Sequence, residues 1–121
     1  MKGLSIFIMM VLFLSCSGRT EVEKPAKVID EKTMENIIYD LSLLQAIKNV
    51  NPQSLTDKKI EPTNYIYKKY KIDSLQFAQN NKYYAVQVEL YQKMYQKVNE
   101  RLLEQKAKLD SLNKKSPEPP K

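Results

Sequence analysis

Histidine and tryptophan are absent from this 121-residue chain, cysteine occurs once and glycine twice. Each gap excludes something. Histidine carries most general acid–base work near neutral pH, so the familiar nucleophile–base pairs lack their base. Glycine serves tight hairpins, bulges and phosphate-binding loops because it tolerates positive φ. Its only positions are Gly3 and Gly18, which argues against a β-rich fold and against a Walker or Rossmann loop. An Asp-x-Asp calcium loop is missing too. The 14 acidic residues could in pairs run glycosidase or metal chemistry, but on helices they fall mostly on solvated faces or at caps. The expectation is a protein that is not an enzyme, with no metal and no cofactor.

Positive charge is present but unfocused. The formal net charge is +6, which near a membrane is compatible with attraction to anionic head groups. The bases are scattered among acids, and the tight clusters are Lys68-Lys69-Lys71 and Lys114-Lys115. Nucleic-acid binding wants a basic stripe with stacking aromatics. No nucleic-acid partner is expected.

The long apolar run lies at the start. Lys2 precedes an almost unbroken apolar stretch from Leu4 to Leu14, followed by Ser15 and the lone Cys16. A basic start, an apolar core of this length and a small residue before a cut form the layout of an export signal. As a helix the stretch would span roughly 16 Å, far short of the roughly 30 Å of bilayer hydrocarbon. It is too short to cross. Leu-Phe-Leu-Ser-Cys at 12–16 resembles the lipobox of signal peptidase II substrates, with Phe13 where leucine is commonest. That resemblance implies cleavage between Ser15 and Cys16, a diacylglycerol on the Cys16 thiol and an acyl chain (palmitate, for example) on its new amino group. Two or three chains anchor stably where one is marginal, and no thiol then remains for a disulfide, metal or nucleophile. The competing reading is an ordinary secretory signal with a chance cysteine.

Removing residues 1–15 from 121 leaves 106, one domain at most. Residues 16–28 read as a lipidated, flexible tether carrying Pro25. Residues 29–112 read as an all-α domain, a small bundle of about four helices with a long C-terminal helix, and 113–121 as a disordered tail. Asp30 is placed to cap the first helix, with Glu31 in its first turn. Met34, Ile37, Ile38, Leu41, Leu44 and Ile47 then recur at steps of three and four. Asn51-Pro52 ends that helix, and 51–61 reads as a polar linker. Pro62 suits the start of a second helix, Asp73 caps a third running to about Tyr84, and Asn80-Asn81 reads as a soft spot within it.

From about Val86 to Leu112, Val88, Tyr91, Tyr95, Val98, Leu102, Leu109 and Leu112 form a heptad seam, with Gln105 in its one polar slot. Two outcomes stay open. The seam packs on the protein's own helices, as in short bundles, or residues 102–112 outrun the bundle and dimerise, making a homo-oligomer possible.

Candidate contact residues follow from polarity. Asp40 falls at the edge of the first helix's apolar face, and a partly buried carboxylate must find a partner. A structural hydrogen bond to a later tyrosine or lysine is the first reading, a ligand contact the second. Eight tyrosines are many for so small a domain. Tyrosine suits both core rims and contact surfaces, so Tyr70, Tyr83, Tyr84, Tyr91 and Tyr95 are candidates for structural or partner contacts. Adjacent Tyr83 and Tyr84 cannot point the same way on one helix, so at least one is expected to face a loop, groove or partner.

The order of these features resembles a known family. Lys24-Pro25 and Val28-Ile29-Asp30 follow the lipobox. Next come Ile-Ile-Tyr-Asp-Leu at 37–41, Tyr-Lys-Lys-Tyr-Lys-Ile-Asp at 67–73, Phe77, Tyr83-Tyr84 and Leu-Tyr-Gln-Lys-Met-Tyr at 90–95. Over residues 16–103 the chain is similar to the Bacteroidota lipoprotein family called domain of unknown function 4296. It departs at Asn80, where the family commonly has serine, and at Gln87-Val88, where an acidic–proline pair is common. The resemblance implies a helical envelope lipoprotein and no assigned activity. In that phylum Asp-Ser-Leu looks like an O-glycosylation sequon, which makes Ser74 and Ser111 candidates, although Asp73-Ser74 is equally well explained as a cap. Ser17 after the cysteine is compatible with outer-membrane sorting.

The resulting expectation is a lipid-anchored envelope protein on the periplasmic face of the outer membrane, a non-enzymatic helical module that binds another envelope protein. A chaperone-like module holding export clients in an aromatic groove is the alternative. An accessory subunit presenting Asp40 and tyrosines to a polymer is a third reading.

Overall fold

Among the described residues five helices form, the first four each opened by a capping side chain. The structure is a computed structural model and describes residues 21–115. Ser15 and Cys16 lie outside the described residues. Helix α1 spans Glu31–Val50; the Asp30 carboxylate accepts from the Thr33 amide at 2.9 Å. Met34, Ile37, Ile38 and Leu44 are buried along it. Asn51 closes α1 by donating its own amide to the Ile47 carbonyl, and Pro52 cannot continue the ladder.

The expected linker holds a further helix, α2, Pro52–Asp57. Asn51 caps it by accepting from the Ser54 amide, and Leu55 drives it into the core at 7 % exposure. The described residues therefore hold five helices, in line with the expected bundle of about four and its long C-terminal helix. Helix α3, Pro62–Tyr70, starts with proline at its first turn, and the Glu61 carboxylate accepts from the Thr63 and Asn64 amides. It stops at Lys71, in the left-handed region at φ 54°. Helix α4, Ser74–Ala85, is capped by Asp73. Helix α5 runs Val88–Lys115, past Asn113, where composition predicts the tail to begin.

Helix α1 is the hub, touching α2, α3 and α5, while α4 lies on α5. Glu35 meets Lys97, and Asn36 meets Arg101; α1 and α5 therefore run in the same direction. Ile29, Met34, Ile37, Ile66, Tyr84, Met94 and Val98 form the core.

The heptad reading of α5 needs correction inside the bundle. Val88 and Tyr95 are exposed and Met94 is buried: the covered face of α5 is carried by Leu90, Tyr91, Met94, Val98 and Leu102. Beyond Leu102 every described residue of α5 is exposed. Ile29, where the domain is expected to begin, is buried, and so is Pro25 within the expected tether.

Candidate functional site

Asn80, read from sequence as a weak point, is fully buried and grips the segment before α1. Its carboxamide oxygen accepts from the Ile29 amide at 2.7 Å. Its nitrogen donates to the Lys27 carbonyl at 2.8 Å and to Gln76 of its own helix at 2.8 Å. One turn on, the Tyr84 hydroxyl donates to the Ile29 carbonyl at 2.6 Å. A side-chain amide thus serves the leader as a neighbouring strand would, satisfying a donor and an acceptor that burial would otherwise orphan. Among the described residues no buried side-chain nitrogen or oxygen lacks a partner.

Tyr84 and Tyr83 differ in burial. Tyr84 is buried, and Tyr83 is half-buried with its ring edge-on to Tyr84 at 5.4 Å. Burial, together with the nearby Glu31 and Asp30 carboxylates, raises the Tyr84 hydroxyl above the usual phenol range. Beside Tyr83 lies an open cleft of about 510 Å³, walled by Lys24 and Val28 of the leader, Asp30 to Lys32, and Gln87 and Leu90 across the α4–α5 corner. Its lining mixes both charges with the apolar side chains of Val28 and Leu90.

Asp40 is half-buried. It accepts from Lys69 at 2.7 Å and from the Tyr70 hydroxyl at 2.6 Å, tying α1 to α3. Burial and the bond to Asp40 raise the Tyr70 hydroxyl, and the same carboxylate raises the Lys69 ammonium. No second carboxylate joins the group. Tyr91 donates to Asn81 at 2.9 Å and lies 3.3 Å from the hydroxyl of exposed Tyr95. Burial and that neighbour push Tyr91 up to about 12.

Sequence reasoning passed over Glu35, the buried acid, at 4 % exposure. Lys32 lies 2.9 Å away, Arg101 3.5 Å and Lys97 3.7 Å. Burial pushes the carboxyl up, but the Lys32 hydrogen bond and the three positive charges more than offset it, leaving Glu35 below the usual range. Arg101 also donates to Asn36 at 2.9 Å and stacks on Tyr39, 4.0 Å from the ring centroid. Spacing offered a signal: Glu35 lies beside Met34 and one turn before Ile38, within the apolar periodicity.

Ser74 and Ser111 are exposed. Ser74 opens α4 beside its cap Asp73, and the Ser111 hydroxyl donates to Lys108. Among the described residues no three metal-ligating side chains converge.

The segment gripped by Asn80 is where a family match begins. A family model described as a domain of unknown function, DUF4296, matches residues 25–108. The chain belongs to the DUF4296 family. No curated protein and no solved structure matches it. The DUF4296 match spans the docked leader, all four short elements and α5 as far as Lys108. It therefore treats Pro25 to Ile29 as part of the domain, in agreement with the burial of Pro25 and Ile29.

Proposed function

We propose that this DUF4296 protein is a lipid-anchored envelope lipoprotein of the Bacteroidota type, held at Cys16 on the periplasmic face of the outer membrane. Its helical body serves as a non-enzymatic docking module for another envelope protein. The observation that carries this reading is Ser15-Cys16 at the end of an apolar run, followed by a body that begins at Pro25. The nine residue steps from Cys16 to Pro25 reach at most about 32 Å. A body held so close to the bilayer is suited to partners that sit there. Among the described residues, no helix is long and apolar enough to cross a membrane.

The distribution of the tyrosines supports a docking module over a chaperone-like cradle. Tyr84 is buried, Tyr70 and Tyr91 bond within the body, and of the residues walling the open cleft only Tyr83 and Tyr84 are aromatic. An aromatic groove for unfolded clients would need several exposed rings side by side. Crosslinking in intact cells tests the choice. One stoichiometric partner is expected; a smear of many nascent outer-membrane proteins would favour the chaperone reading.

A further inference from the structure

We infer that α5 beyond Leu102 is a docking arm for an acidic amphipathic helix on the partner. This rests on the docking-module reading above and names the surface and the partner's chemistry. The buried stripe of α5, Met94 and Val98, passes through half-buried Leu102 and continues as Gln105, Leu109 and Leu112. The core seam thus extends past the point where the bundle stops covering it. Leu109 is 51 % exposed and Leu112 61 %. The arm, residues 103–115, is about 20 Å of helix, a length that is marginal in water without packing on one face.

Charge says what that packing is. Lys106, Lys108 and Lys115 flank the apolar stripe, while Glu104 and Asp110 lie on the outer side of the helix. None of these three lysines forms an ion pair among the described residues. Two copies of the arm do not suit each other. A parallel pair sets Arg101 against Lys106 and Lys108 against Asn113, and an antiparallel pair sets bases against bases, so neither orientation gains an opposite-charge contact. A membrane surface is a poor fit as well: residues 103–115 carry three leucines, no aromatic and two acids, too little apolar face to seat in head groups. A helix with leucine-like residues along one stripe and glutamate or aspartate beside them matches both features.

Two synthetic three-heptad peptides test this, both with leucine at the core positions, one flanked by glutamate and one by lysine. The full-length mature protein in detergent is expected to bind the glutamate peptide about tenfold tighter or more, with affinity falling as salt rises. Leu109→Glu with Leu112→Glu abolishes the preference without lowering the melting temperature, since neither side chain is in the core. Lys106→Glu with Lys108→Glu reverses it. Equal or absent binding of both peptides overturns the inference. So does a dimer that the leucine substitutions dissolve, or adhesion to phosphatidylglycerol vesicles with no peptide preference. Photocrosslinkers at Leu109 and at Tyr83 in cells separate the two levels. A partner caught from Tyr83 but never from Leu109 overturns the arm and leaves the docking module standing.

Discussion

Asn80 and Ile29, 51 positions apart, are joined by a 2.7 Å hydrogen bond from the Ile29 amide to the Asn80 carboxamide oxygen. Through it α4 fixes where the leader enters the body. Asn80→Ala leaves the Ile29 amide and Lys27 carbonyl without their partner, at about 2–3 kcal/mol. Urea denaturation should show that loss, and trypsin should cut the variant faster after Lys27. An unchanged cleavage rate would contradict the clamp.

Glu35 predicts an acid limb to stability. Its folded carboxyl is held below the ordinary value by Lys32, Lys97 and Arg101 despite burial. The unfolded chain therefore takes up a proton first as pH falls. The stabilisation is present above the unfolded value, about 4.3, and is lost as pH falls through the lower folded value. The melting temperature should drop from about pH 5 downward, and Glu35→Gln should flatten that slope. A parallel slope in the variant would assign the acid limb elsewhere.

Tyrosines predict the alkaline limb with the opposite sign. Tyr70, Tyr84 and Tyr91 are raised, first of all by burial. The unfolded chain releases these protons near pH 10 while the folded chain keeps them, so stability falls as pH rises above that point. Ultraviolet titration should show a late phase that coincides with loss of helical circular dichroism. Tyr91→Phe should reduce its amplitude.

Lys71 ends α3 in the left-handed region at φ 54°, where a Cβ is unfavourable and glycine is at ease. Lys71→Gly should stabilise the protein by roughly 0.5–1 kcal/mol, the scale of such backbone relief. A fall in the denaturation midpoint would contradict the assignment.

Much of the helix layout was legible because local signals agree with tertiary packing. Asp30, Pro62 and Asp73 mark starts that each bind a nearby amide or begin a turn, and the 34–47 periodicity matches the buried face of α1. Helix α2 was hidden because its six residues hold one core side chain, Leu55. Asn80 was misread because propensity measures its cost in a helix, whereas its value lies in a leader 51 residues away. Glu35 was missed for the same reason: three cations from two helices make its burial tolerable, and their convergence is a tertiary fact. Met94 takes the core place expected of Tyr95 because the face of α5 that meets the bundle is set by tertiary packing, with Met94 buried and Tyr95 exposed.

The account depends most on a fatty anchor at the lone thiol, since the short reach to Pro25 and the bilayer-facing partner both follow from it. Intact mass spectrometry of the mature protein purified from membranes tests this directly. The expected product begins at Cys16 and carries the added mass of a diacylglycerol, with or without an N-acyl chain. A chain that still begins at Met1, or an unmodified cysteine, would contradict it.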